Sequence, residues 1–313
     1  MDTVFVQAPG SVSNLGSGFD VLGFALNEPF DELELRSTLQ PGVRIINEHE
    51  YDLPDNPEKN VSGVVLLEAL RRSGYSGGLE LTVRKRIKPG SGIGSSAASA
   101  AGAAVAAGVL LGNIFSKPEL LDLAMEGEFL ASGARHADNV APCIYGGVTL
   151  IRSMEPPDII PLPPADLFVT IVHPQIEIQT AYARSIMPQE VPLKHAIRQW
   201  GNLGALVAGF YRNDPALIGR SMEDRVAEPY RKALIPGFDA IGAASRAAGA
   251  LGGGISGSGP SLFQFSTTFA TATAVAKAMN RIYTELGIAH HTYVTAINRE
   301  GVRVLPLAQT RKS

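Results

Sequence analysis

Lys88 to Gly112 reads KPGSGIGSSAASAAGAAVAAGVLLG, a Gly/Ser loop running directly into an Ala-rich helix. The first turn of a helix leaves its backbone N–H groups without carbonyl partners, so such a loop opens onto an anion socket. Gly90, Gly92 and Gly94 remove side chains that would keep a phosphate away from those amides. Ser95 and Ser96 put hydroxyls at the helix start, able to bond a phosphate oxygen or a metal. Neither common phosphate-loop pattern fits. No Lys follows Gly92 or Gly94, as G-x-x-x-x-G-K-[ST] demands, and Ser95 or Ala97 stands where the last Gly of G-x-G-x-x-G belongs. A flexible linker would not lead into so well-marked a helix, and the run is too short and too weakly apolar for a span of ~20 residues.

Other groups able to bind or react cluster at a few places. In the loop from Ala8 to Asp20, Gly16 and Gly18 hold Asn14 and Asp20 at a fixed separation. Glu126 and Glu128 sit two residues apart on one helix and face different ways, so only one can point at bound phosphates. His136, Asp138 and Asn139 share the segment between Gly133 and Gly147. An amide takes no proton at neutral pH, so Asn139 can order a reacting hydroxyl but not deprotonate it. Gly252, Gly254 and Gly257 formally make G-x-G-x-x-G, but a helix precedes them and a strand follows, the reverse of what a dinucleotide site needs.

These stretches resemble a known family. Pro89-Gly-Ser-Gly-Ile-Gly-Ser-Ser-Ala-Ala98 resembles the ATP loop of the GHMP kinases, and Gly252-Gly-Gly-Ile-Ser-Gly-Ser-Gly-Pro260 their third motif. Asn14-Leu-Gly-Ser-Gly-Phe-Asp20 resembles the amino-terminal motif of the homoserine kinase branch. The segment Gly133-Ala-Arg-His-Ala-Asp-Asn-Val-Ala-Pro142 is similar to that branch's G-S-x-H-x-D-N-V-A-P, departing only at Ala134. Thr180 to Pro188 is similar to T-x-x-A-R-x-x-[LM]-P, and Asp224 to Arg231 to D-x-x-x-x-P-x-R. The resemblance implies ATP and Mg²⁺, with Pro89, Gly90, Ser91, Gly92, Ile93, Gly94, Ser95 and Ser96 around the phosphates. Ser96 and Glu128 would hold the metal, Glu128 being chosen over Glu126 by the branch's spacing from His136. Asn60 is either a base contact or a plain helix cap. Asp20 would pair with a substrate ammonium and Arg184 and Arg231 with its carboxylate, while Asn14, His136, Asp138 and Asn139 arrange the hydroxyl end. Asn139, His136 and Arg184 are the expected catalytic groups, acting by position and charge in a loose phosphoryl transfer.

Periodicity places these groups on recognisable elements. Strands are expected at Thr3 to Ala8, Asp20 to Leu26, Glu32 to Ser37, Val43 to Asn47 and Leu79 to Arg86, with helices over Asn60 to Ser73 and Lys117 to Ser132. Met154 to Pro164, with five prolines in eleven residues, cannot be helix or central strand and is expected to join two domains, 1–155 and 165–313. Beyond it, strands at Leu167 to His173, Ser261 to Phe265, Thr292 to Asn298 and Val302 to Leu305 are expected. Helices over Lys194 to Tyr211, Phe238 to Leu251 and Thr271 to Leu286 make this a mixed half of split-βαβ type. The family implies an α+β fold with a ribosomal-protein S5 domain 2-like first half and a ferredoxin-like second half.

At 313 residues, 45% hydrophobic and 18% charged, the chain can bury two cores and is not of disordered composition. A net charge of −3 without a long basic run speaks against nucleic-acid or membrane partners. Cys143, the only cysteine, permits no intrachain disulfide, and the amino terminus lacks a signal-peptide pattern, so a cytoplasmic location is expected. The resemblance implies a homodimer that phosphorylates the L-homoserine hydroxyl in threonine biosynthesis. Two other readings stay open. One is a kinase of the family acting on another small substrate such as mevalonate, which has no ammonium for Asp20. The other is a non-catalytic nucleotide-dependent sensor, which should have lost the metal ligands Ser96 and Glu128.

Overall fold

The computed structural model describes residues 2–163 and 165–306. Met1 and residues 307–313, at the ends of the two expected domains, and Pro164, the last residue of the expected junction, lie outside the described residues. Alternating apolar residues build β1 (Thr3–Ser13), which runs past its expected end at Ala8 because Ser11, Val12 and Ser13 pair with Ala25, Phe24 and Gly23 of β2 (Leu22–Thr38). One long strand replaces the two expected either side of Asn27. Pro29 is tolerated there because the β1 register shifts between Pro9 and Ser11, and the other side of β2 changes neighbour, residues 22–24 pairing with 148–150 and residues 32–38 with 78–84. The irregular loop is thereby shortened, and Asn14, Leu15 and Asp20 within it take left-handed φ of 76°, 39° and 60°.

β3 (Gly42–Asn47) and β4 (Gly78–Arg84) pair in parallel across α1 (Val61–Ser73). Next comes α2 (Ser95–Leu110), whose alanines are all fully buried. A helix buried all round must be made of small residues if it is to lie on a sheet and also carry other helices. Gly102 marks the closest approach, since a Cβ there would stand 2.9 Å from that of Ala8. α3 (Lys117–Ser132) packs against α1 and α2 and opens with a Ser116/Glu119 capping box. A short α4 (Val140–Tyr145) follows, then β5 (Val148–Met154) and β6 (Pro157–Leu162). The proline-rich stretch therefore contains a strand, at an edge: β6 pairs only with β5, so its prolines interrupt no second ladder.

The second sheet has the order β10-β7-β9-β8, the ferredoxin-like arrangement. It comprises β7 (Phe168–Pro174), β8 (Gly252–Ile255), β9 (Leu262–Ser266) and β10 (His290–Ala296). Between β7 and β8 run α5 (Thr180–Ser185), α6 (Leu193–Arg212), α7 (Pro215–Arg220), α8 (Glu228–Arg231) and α9 (Phe238–Ala247), and α10 (Phe269–Glu285) joins β9 to β10. β8 is a strand that its glycines conceal in the sequence. The last strand, β11 (Arg303–Leu305), does not complete this half as expected: Leu305, Val304 and Arg303 pair with Phe5, Val6 and Gln7 of β1 in the first sheet. The halves share core, with Phe24 of β2 lying 5.8 Å from Phe263 and 5.2 Å from Phe265 of β9 between ring centroids. The mouth of the phosphate loop lies along this seam.

Candidate active site

One cavity of about 780 Å³ runs along the seam and is lined by the phosphate loop, the start of α1, the end of α3 and residues of both halves. At its nucleotide-loop end, α2 begins at Gly94, a left-handed residue with φ 66° and no side-chain cap. The helix's first amides are thus left open to the cavity, as an anion requires. Gly94 can be nothing larger, since a Cβ would fall 2.0 Å from Ser11 Oγ. Pro89, Gly90, Ser91, Gly92, Gly94, Ser95 and Ser96 line the wall, whereas Ile93 turns its side chain into the core. The Ser95 hydroxyl is not at the cap as expected. It donates to Ile87 O at 2.9 Å, which leaves Ser96 as the hydroxyl of the pair that faces Glu128.

The third glycine motif holds this loop from the other half. Ser256 Oγ donates to Gly92 O and Ser261 Oγ to Ser91 O, both at 2.6 Å and both from fully buried side chains. These bonds tie the loop's carbonyls back, while two of its own N–H groups are used within it, Ser91 N donating to Lys88 O and Ile93 N to Ser91 Oγ, both at 3.3 Å. Beneath the loop, buried Lys85 donates to Asp31 Oδ2 at 2.6 Å, to Ser95 O at 3.0 Å and to Ser99 Oγ at 2.8 Å. Asp31 Oδ1 in turn accepts the N–H groups of Arg86 and Ile87. This satisfied buried pair fixes the strand-to-loop turn.

Glu128 lies on the cavity wall, 8% exposed, and accepts from Ser96 Oγ at 3.3 Å. Burial, and then the neighbouring Asp138, push its carboxyl up to about 7. Glu126 points elsewhere, to Arg135 at 2.8 Å on the surface. Among the described residues no group of three or more His, Cys, Asp or Glu could hold a metal ion. Mg²⁺ needs no such cage, being bound typically by one or two protein oxygens with substrate phosphates and water completing its shell. A buried carboxylate paired only weakly with the Ser96 hydroxyl, at a phosphate socket, fits that donor set.

The same cavity also gathers Asn14, Asp20, His136, Asp138, Asn139, Arg184 and Arg231. Arg184 Nη1 is 2.6 Å from Asp20 Oδ2 and Nη2 is 2.6 Å from His136 Nε2. A guanidinium has no acceptor, so that imidazole nitrogen offers its lone pair and the ring is neutral. Burial holds His136 below the usual imidazole range, Arg184 adding to the effect and Asp20 opposing it. Arg231 is 5% exposed and donates to Gly257 O at 3.0 Å, and Asn14 Nδ2 donates to the same carbonyl at 2.7 Å. Phe19 underlies both arginines, at 5.6 Å from Arg184 and 5.1 Å from Arg231. Burial, and then Asp20, push the Asp138 carboxyl up to about 7. Asn139 is held on both sides, accepting from Ser11 Oγ and donating to Ser13 Oγ at 2.9 Å each.

Asn60 lines the cavity, but its amide is spent within the protein. Oδ1 accepts from Ser62 N and Gly63 N, and Nδ2 donates to Pro54 O at 2.7 Å. Its geometry is that of a helix cap. Asn60→Ala is expected to cost about 1 kcal/mol in denaturant unfolding, with the ATP KM within about threefold of wild type. A tenfold or larger rise in that KM at unchanged stability would make Asn60 a base contact instead.

Comparison with known proteins accords with this geometry. Residues 60–147 match the model of the GHMP kinases N terminal domain, and residues 206–285 that of the GHMP kinases C terminal domain. Both halves of the chain thus carry the GHMP kinase fold. A homoserine kinase of Chloroherpeton thalassium is 46% identical, over 95% of this chain and 98% of that protein. One from Methanocella arvoryzae is 39% identical, over 97% and 98%. The crystal structure of homoserine kinase from Cytophaga hutchinsonii superposes with a TM-score of 0.94 at 47% identity, covering 97% of this chain and 98% of that one. Mevalonate kinase from L. major, in complex with R-mevalonate, shares the fold alone, with a TM-score of 0.72 at 16% identity. The chain belongs to the homoserine kinase family.

Proposed function

We propose that the chain transfers the γ-phosphoryl group of ATP to the side-chain hydroxyl of L-homoserine, giving ADP and O-phospho-L-homoserine for threonine biosynthesis. One observation carries the substrate reading. Two guanidinium groups, Arg184 and Arg231, and the carboxylate of Asp20 line the cavity onto which the phosphate loop opens. A compact zwitterion answers that set of charges, and mevalonate, with no ammonium, does not. We further propose Mg²⁺ as the metal, a homodimer as the assembly and the cytoplasm as the location. Among the described residues no helix is long and apolar enough to cross a membrane. We propose the two domains as 1–155 and 165–313, with β6 and β11 both joining the first sheet.

In this reading the amides at the start of α2 and the loop before it bind the phosphates, and Ser96 with Glu128 holds Mg²⁺. When bound, the metal neutralises phosphate charge and orients the γ-phosphoryl group for displacement. Arg184 and Arg231 take the substrate carboxylate and Asp20 its ammonium. Asn14, His136, Asp138 and Asn139 fix the hydroxyl end. The hydroxyl oxygen forms its bond to γ-phosphorus as the bond to the ADP oxygen breaks. The hydroxyl proton leaves late, to a phosphate oxygen or water, as a metaphosphate-like transition state allows. Asn139 takes no proton, and the His136 lone pair is engaged by Arg184. We therefore assign no side chain as an essential base.

General-base help is worth ~10²- to 10⁴-fold. His136→Gln is expected to lower kcat less than 10²-fold by that measure and to keep the acidic limb of the pH–rate profile. Asp138, whose carboxyl also sits near neutrality, provides the companion measurement through Asp138→Asn. A loss of three decades together with that limb, in either variant, would make the residue the base. The reaction itself is tested by ³¹P NMR of ATP incubated with L-homoserine. ADP and a new phosphomonoester should grow in equal amounts; ADP and inorganic phosphate alone would contradict transfer to homoserine.

A further inference from the structure

α6 presents two apolar faces. Leu206, Gly209 and Phe210, with Leu203 and Val207 beside them, pack into the core. About 100° away around the helix lies a second stripe, Leu193, Ile197, Trp200, Gly204, Ala208 and Tyr211, at the four- and three-residue spacing that keeps side chains on one line. Its large members face solvent, Leu193 68% exposed, Ile197 52%, Trp200 57% and Tyr211 59%. Gly201 and Gly204 sit at its middle, and a Cβ at either would meet nothing within 4 Å. Glycine weakens a helix interior, and packing within the chain gives no reason for it at these two positions.

From this we infer that the stripe is the seam of a two-fold dimer, in which a second copy of the chain lays its own α6 antiparallel across Gly204. The inference rests on the homodimer reading above, not on the enzymatic one. The stripe is complementary to itself in this register. Positions equally far from Gly204 on either side meet, so Trp200 faces Ala208 of the partner subunit and Ile197 faces Tyr211 of the partner subunit. Large thus opposes small next to the axis, and the glycines let the two backbones approach there. This is how an isologous contact must be built, each pairing occurring twice. Antiparallel helices also set each positive amino end, with Lys194, beside the partner's negative carboxyl end. The four large side chains expose on the order of 400–500 Å² per copy, at ~150–250 Å² for a whole aromatic side chain. Two copies approach the ~1,000 Å² that a specific interface needs.

Trp200 is the only tryptophan, so its emission reports on the seam directly. Sedimentation velocity of the wild-type chain at micromolar concentration should give twice the 33.1 kDa chain mass, and dilution into the monomer range should shift Trp200 emission to the red. Gly204→Arg and Trp200→Glu should each sediment as folded monomers, with helical circular dichroism unchanged and a melting temperature that no longer depends on protein concentration. Gly204→Cys should oxidise to a covalent dimer, because the axis sets residue 204 against its own copy and Cys143 is buried. A monomeric wild-type chain would overturn both the homodimer reading and this seam. A wild-type dimer that persists in both Gly204→Arg and Trp200→Glu, or a Gly204→Cys chain that does not cross-link, would leave the homodimer standing and overturn the seam.

Discussion

Glu128→Gln should lower kcat by on the order of 10³-fold, about 4 kcal/mol of transition-state stabilisation, and at the same time make the substrate-free protein more stable at pH 8. The first effect follows from removing one charged oxygen from the proposed metal site. The second follows from the carboxyl's position in the fold, where burial pushes it up to about 7 from its usual 4.5. Below about pH 4.5 Glu128 is neutral whether the chain is folded or not, and the folded state has the full benefit. As pH rises through 7 that benefit is lost, because the unfolded chain ionises freely while the folded one must bury the charge. A neutral Gln escapes this cost, on the order of 3 kcal/mol at pH 8. Melting curves at pH 5 and pH 8 should therefore lie further apart for wild type than for the variant, which keeps the pH dependence of the similarly raised Asp138 and Glu228. Glu126→Gln, altering a surface pair with Arg135, should leave both readouts near wild type. The reverse pattern, with Glu126→Gln inactive and Glu128→Gln active, would show that the wrong carboxylate has been placed at the metal.

Asp20→Asn should raise the homoserine KM by about 10²-fold or more, with the ATP KM changed less than about threefold. Without substrate, Asp20 pairs with Arg184 at 2.6 Å, but the two side chains are 33% and 40% exposed, and a pair so open to water contributes little to stability. The effect belongs to the complex. There the substrate covers both groups, and an ammonium that has lost its carboxylate costs ~3 kcal/mol or more. The neighbouring His136 and Arg184 would keep their own contact, so the fold should melt near the wild-type temperature. Homoserine saturation unchanged from wild type would remove Asp20 from the ammonium site.

Much of this site could be read in the chain because its chemistry is written in short local stretches. Gly90, Gly92 and Gly94 before an Ala-rich helix betray a socket, and Asn14, Asp20, His136, Arg184 and Arg231 stand in recognisable frames; they share one cavity. What could not be read depends on contacts between distant segments. Ser256 and Ser261 hold the phosphate loop from 164 and 170 residues away, and no local pattern marks them for that task. β8 is hidden because glycines have weak strand preference, and β11 because three residues give no periodicity to say which sheet they join. Lys85 and Asp31 left a signal that was missed. Asp31 lies in phase with Leu33 and Leu35 on the buried face of β2, and Lys85, one residue past the end of β4, in phase with that strand's buried Leu81 and Val83. Opposite charges on two apolar faces are to be read as a pair.

The most direct test of the central claim is a coupled ADP-release assay with the purified chain and Mg²⁺-ATP, run in parallel with L-homoserine, mevalonate and galactose. Turnover with L-homoserine should exceed that with either alternative by several orders of magnitude in kcat/KM, because only homoserine brings both a carboxylate for Arg184 and Arg231 and an ammonium for Asp20. Mevalonate turned over as well as homoserine, or ADP released at one rate whichever acceptor is present, would contradict it.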